Sequence, residues 1–148
     1  MGEAKRRKEK GLLSKNKANG FAEPTQVSKY QSKKSNNQDE IKEKQAIAFL
    51  QAGKREEAEV IYRELIAKGS QNHLVYGNLA SVCLMRGDKE EGINLLKNAL
   101  KLKPDFPNAH YNLGTALKEQ GNLTAAITSF QQAIKYKPEF PDAHNNLG

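Results

Sequence analysis

Tryptophan is absent from this 148-residue sequence, and cysteine occurs once, at Cys83. A single thiol excludes an intramolecular disulfide framework and suits a reducing compartment. No apolar run approaches the length of a membrane span, and no apolar leader follows the basic start. A myristoylation motif would need Ser or Thr at position 6, where Arg6 stands. No triad, phosphate loop or acid–base pair is legible. Glu56-Glu57 and Glu90-Glu91 look like carboxylate pairs but read as first-turn acids, which the helix dipole favours. These absences predict a non-catalytic, cytoplasmic protein with no transmembrane segment, cofactor or metal.

Acidic residues are scarce in one part only. Residues 1–38 carry ten Lys/Arg against three acids, while the remainder is balanced at fourteen of each sign. The sequence pI of about 9.4 therefore belongs to the first segment. That segment is rich in Lys, Asn, Ser, Gln and Gly and poor in apolar residues, so it is expected to be a disordered basic tail. Its run Lys5-Arg6-Arg7-Lys8 is a candidate contact for nucleic acid, ribosomes or an anionic surface. No aromatic residue lies close to that run to stack bases, which favours a solvated tail.

What the chain does have is a repeat. PDFPNAHYNLG at 104–114 returns as PEFPDAHNNLG at 138–148, a shift of 34 residues. The same shift relates Gly53, Gly87 and Gly121, and it takes Leu113 back to Leu79. Units of this length bury their apolar faces by stacking on their neighbours, which builds an extended surface rather than a closed pocket. The units are 39–72, 73–106 and 107–140, with a fourth beginning at 141–148. Each holds two helical stripes. Tyr76, Leu79, Ala80 and Cys83 share one face, reproduced by His110, Leu113, Gly114 and Leu117. Second helices carry Gly92, Leu96, Ala99 and Leu100, then Ala126, Phe130, Ala133 and Ile134. Glycines suit the turns, Asp88 with Glu91 has capping-box spacing, Asn122 is a second cap, and Pro107 and Pro141 fall in first turns. Cys83 reads as a small core residue, and His110 and His144 as core histidines at the aromatic position of Tyr76, not metal ligands.

These columns resemble the tetratricopeptide repeat (TPR) over residues 39–148, most fully in repeats 2 and 3. In repeat 1, Gln45 and Ser70 replace the leucine and proline of the other copies. The resemblance implies an all-α, right-handed superhelix of about three helix-turn-helix repeats plus the start of a fourth. The first helix of each pair would line a concave groove that holds a protein or extended peptide. The style is similar to arrays attached to O-GlcNAc-transferase-type glycosyltransferases and to bacterial TPR proteins.

Candidate groove residues follow. Asn78, Asn112 and Asn146 form one column, rotated roughly 200° from Tyr76 and His110. In glycosyltransferase-type arrays such a ladder holds peptide backbone, a task suited to an amide that both donates and accepts. The same column also fits a packing or solubility role. Lys44 occupies it in repeat 1. Ser81, Leu84, Met85, Tyr111, Lys118 and Glu119 are expected in the groove too. Leu84 and Met85 are candidates either for an apolar anchor or for contact with the next repeat. Against the clamp of the TPR class that binds chaperone tails, the matching positions are Glu43, Ile47, Asn78, Asn108 and Asn112. Only Asn78 fits, and Glu43 would repel a carboxylate. The leading expectation is an interaction module. The alternatives are the N-terminal arm of a larger transferase cut off at residue 148, and an adaptor acting through its basic tail.

Overall fold

The computed structural model describes the backbone from residue 26 and the side chains from residue 37. Most of the expected tail, including Lys5, Arg6, Arg7 and Lys8, lies outside the described residues. The described residues divide into two units between residues 41 and 42. Among the described residues the regular structure is helical throughout: α1 (Gln26–Gln51), α2 (Arg55–Ala67), α3 (His73–Arg86), α4 (Lys89–Leu102), α5 (Pro107–Glu119), α6 (Leu123–Tyr136) and α7 (Pro141–Leu147). No helix among them is long and apolar enough to cross a membrane. Helix α1 reaches back into the segment expected to be tail, and neither Gly nor Pro interrupts residues 26–51.

The turns sit where the 34-residue period places them. Gly87 ends α3 with φ 97°, and its N–H and that of Asp88 close on the carbonyls of Leu84 and Cys83. Gly121 follows α5 with φ 82°. Pro107 and Pro141 open α5 and α7. Asn122 caps α6, its Oδ1 accepting from the Ala125 N–H at 3.4 Å. Asn72, whose role was not foreseen, caps α3 through the Leu74 N–H at 3.0 Å. The capping box at Asp88 does not form. Its carboxylate accepts from Arg86 Nε at 2.6 Å, and α4 starts without a side-chain cap.

The predicted stripes are the core. Leu79, Ala80, Cys83, Leu96, Ala99, Ala126, Phe130 and Ala133 are buried, as is Tyr62. Cys83 belongs to this interior, and burial, followed by the charge of Glu91, pushes its thiol up to about 11, so it stays protonated near neutrality. Small residues allow close approach between paired helices. A Cβ on Gly114 would fall 2.8 Å from Phe130, and one on Gly92 would fall 2.6 Å from Leu84. Leu117 touches both apolar clusters and joins them.

The aromatic column behaves differently from its core expectation. Tyr76 and His110 are half-buried and His144 is exposed. Tyr76 donates its hydroxyl to the Ser70 carbonyl at 3.0 Å, while Nε2 of His110 and of His144 lie 2.7 and 2.8 Å from the carbonyls of Pro104 and Pro138. A carbonyl only accepts, so each ring nitrogen donates. The side chains tether the start of each first helix to the loop before it. The buried column is one residue earlier: Val75, Ala109 and Ala143. Phe106 and Phe140 complete the junctions, Phe106 over Gly77 and Phe140 against Tyr111 at 4.9 Å.

Candidate functional site

First helices α3 and α5 face one another across a cleft of about 260 Å³, lined by Ser81, Leu84, Met85, Tyr111, Asn112, Thr115, Ala116 and Glu119. Six of the nine candidate residues meet there: Ser81, Leu84, Met85, Tyr111, Asn112 and Glu119. Asn78, Asn146 and Lys118 do not line it.

Each wall has a local cause. Leu84 is half-buried and pressed onto Gly92, where no Cβ keeps it away. Tyr111 is held between Phe130 and Phe140, with ring centroids 5.8 and 4.9 Å away. Met85 is 68% exposed, the most exposed large apolar side chain among the described residues. Ser81 and Thr115 donate their hydroxyl hydrogens to Gly77 and Tyr111 carbonyls of their own helices, both at 3.1 Å. Glu119 is ion-paired with Lys89 at 3.2 Å.

The three asparagines are not equivalent. The Asn78 amide donates to the Tyr62 hydroxyl at 3.1 Å. Burial raises the Tyr62 pKa further above its usual value, so the phenol remains neutral and can accept. Asn146 is engaged at both ends, donating to the Asp142 carbonyl at 2.8 Å and accepting from Lys118 Nζ at 3.2 Å. That bond also places Lys118, outside the cleft. Asn112 is half-buried, and among the described residues its side chain makes no hydrogen bond. Thr115 and Ala116 went unsignalled in the sequence. They lie one helical turn beyond Tyr111 and Asn112, so helical spacing could have found them. Glu43, the acid noted against a carboxylate-binding clamp, accepts from Asn72 Nδ2 at 2.8 Å.

Residues 80–121 and 114–148 match a family model described as TPR repeat. These are tetratricopeptide repeats. The fold is the right-handed superhelix of such arrays, as the resemblance implies. No curated protein sequence matches the chain. Among solved structures, the second TPR domain of human RPAP3 in complex with the HSP70 peptide SGPTIEEVD is 28% identical, with a TM-score of 0.68. The match covers 75% of this chain and 93% of that domain. MamA is 24% identical with a TM-score of 0.71, over 80% of this chain and 70% of that one. The TPR arrangement is also similar to part of a Thermobaculum terrenum O-GlcNAc transferase, 24% identical with a TM-score of 0.68. That match covers 74% of this chain and 21% of the transferase.

Proposed function

We propose that this TPR stack is a protein-interaction module that holds an extended segment of a protein partner across its first helices, and that its role is binding rather than catalysis. One observation carries the reading. The α3–α5 cleft brings an apolar floor together with Asn112, an amide that no other side chain or carbonyl of the described chain occupies. A half-buried amide with free donor and acceptor is matched by the N–H and C=O of a peptide backbone, irrespective of its sequence. The RPAP3 domain, similar in fold over three-quarters of this chain, was solved with a peptide bound.

Of the asparagine column, Asn112 is the principal grip in this reading. Asn78 keeps one free N–H and its carbonyl beside Tyr62, and Asn146 must first release Lys118. Random-peptide selection on the intact protein, followed by fluorescence polarisation of an enriched sequence, tests the proposal. Asn112→Ala is expected to weaken that peptide about tenfold, the value of a lost hydrogen-bond pair, and to move the melting temperature by only a few degrees. Unchanged affinity would remove Asn112 from the site, and failure to enrich any peptide would remove the binding reading itself.

A further inference from the structure

Resting on that binding reading, we infer that the α3–α5 cleft selects an internal, non-acidic segment of its partner and seats one aliphatic side chain on Leu84, Met85 and Tyr111. The argument starts from hydrogen-bond inventory. Ser81 and Thr115 have already given their hydroxyl hydrogens to helix carbonyls, so each presents lone pairs alone. Glu119 contributes a carboxylate at the rim, Asn112 contributes the sole amide, and the Tyr111 hydroxyl adds one donor that also accepts. Acceptors therefore outnumber donors, and no Lys or Arg lines the cleft. Lys89 pairs with Glu119 from outside the lining, and Lys118, also outside it, donates to Asn146.

An occupant must supply what the cleft lacks, namely hydrogen-bond donors and neutral or positive charge. The N–H groups of an internal peptide segment do so. A free terminal carboxylate, or an acidic side chain near the anchor, would bring more acceptors and a like charge toward Glu119, with no cation among the lining residues to receive them. The chemistry thus differs from that of SGPTIEEVD, the acid-ended peptide seen on the RPAP3 domain.

The apolar part argues for an aliphatic anchor. Leu84 and Tyr111 are fixed walls, one wedged on Gly92 and the other between two phenylalanine rings. Met85 is unbranched and exposed, so it can fold over side chains of different shape. Two rigid walls and one adaptable flap favour leucine, isoleucine or methionine in the bound segment.

The test uses the whole chain and two random-peptide libraries. In one the random segment is followed by a linker, and in the other it ends in a free carboxylate. The expected winners come from the first library, carry an aliphatic residue and lack Asp or Glu beside it. Synthesised peptides of that type should bind at least about tenfold tighter than SGPTIEEVD, and about fivefold more weakly to Met85→Asp. Winners with acidic, free ends would overturn the ligand class while leaving the binding module intact. Equal enrichment on a Met85→Asp, Asn112→Ala double variant would show that the cleft is not the site. No enrichment from either library would overturn the ligand class and the binding reading together.

Discussion

The junctions between repeats 1 and 2 and between repeats 2 and 3 both bury apolar side chains, but one column that is ionic at the first is aliphatic at the second. Glu59, Ile93 and Ile127 occupy one column of the second helices, each 34 residues from the next. Ile93 is 6% exposed and belongs to the cluster that contains Ala109, Leu113 and Ala116. Glu59 instead meets Arg86 at 2.7 Å and Arg63 at 2.8 Å. Arg63 reaches on to Glu91 at 2.7 Å, and Arg86 to Asp88 at 2.6 Å. The Arg86 hydrogen bond, with help from Arg63, holds the Glu59 carboxyl below its ordinary pKa against some desolvation. Partly exposed ion pairs contribute little net stability and weaken with salt, whereas buried aliphatic surface contributes about 25 cal/mol per Å². At this column the first junction thus adds a salt-sensitive contribution to its apolar core, where the second adds buried aliphatic surface.

The largest loss is expected inside repeat 3, and the next at the aliphatic column between repeats 2 and 3. Phe130 is buried against Gly114 and Tyr111, so Phe130→Ala should cost about 3–5 kcal/mol by urea denaturation. Ile93→Ala should cost about 2–4 kcal/mol. A loss below about 1 kcal/mol would erase the contrast between the junctions. Glu59→Gln should cost roughly 1 kcal/mol at low salt, and that cost should shrink toward zero in molar salt. A salt-independent penalty would mean that the ionic description is wrong.

Acid should act on the same junction. The folded-state pKa of Glu59 and that of Glu91 are depressed, so their contribution is present above the unfolded value of 4.5 and is lost as pH falls below it. Hydrogen exchange in α2 should accelerate across that window before exchange in α5 does. Simultaneous acceleration would place the acid sensitivity elsewhere. The smallest effect is expected at Ile127, which is 47% exposed although it shares the column of Ile93. Ile127→Ala should stay within about 0.5–1 kcal/mol.

The fold was legible because 34-residue spacing repeats turn glycines, small residues and large apolar residues in register. The cleft was partly legible for the same reason, since Ser81, Met85, Tyr111 and Asn112 follow from helical phase. The state of each asparagine was not. It depends on Tyr62 for Asn78 and on Lys118 for Asn146, partners 16 and 28 residues away on other helices. The ionic contact at the first junction was hidden likewise, because Glu59 and Arg86 are 27 residues apart. The histidine column misled because helical phase alone placed His110 and His144 in the core. At the start of a helix, a nearby loop carbonyl offers the ring a polar partner instead. Asp88 failed as a cap through local competition, since Arg86 two residues earlier offers a charged donor. Phe106 and Phe140 stood in plain view inside the DFP and EFP echo, as the apolar residue before each first-turn proline.

Side-chain amide NMR of the ¹⁵N-labelled protein, titrated with a peptide selected on it, tests the binding account most directly. The account predicts that the Asn112 side-chain NH₂ pair shifts and saturates together with the backbone amides of Leu84, Met85 and Tyr111, while Asn146 moves less. Saturable binding that leaves Asn112 and those three amides unmoved would contradict it.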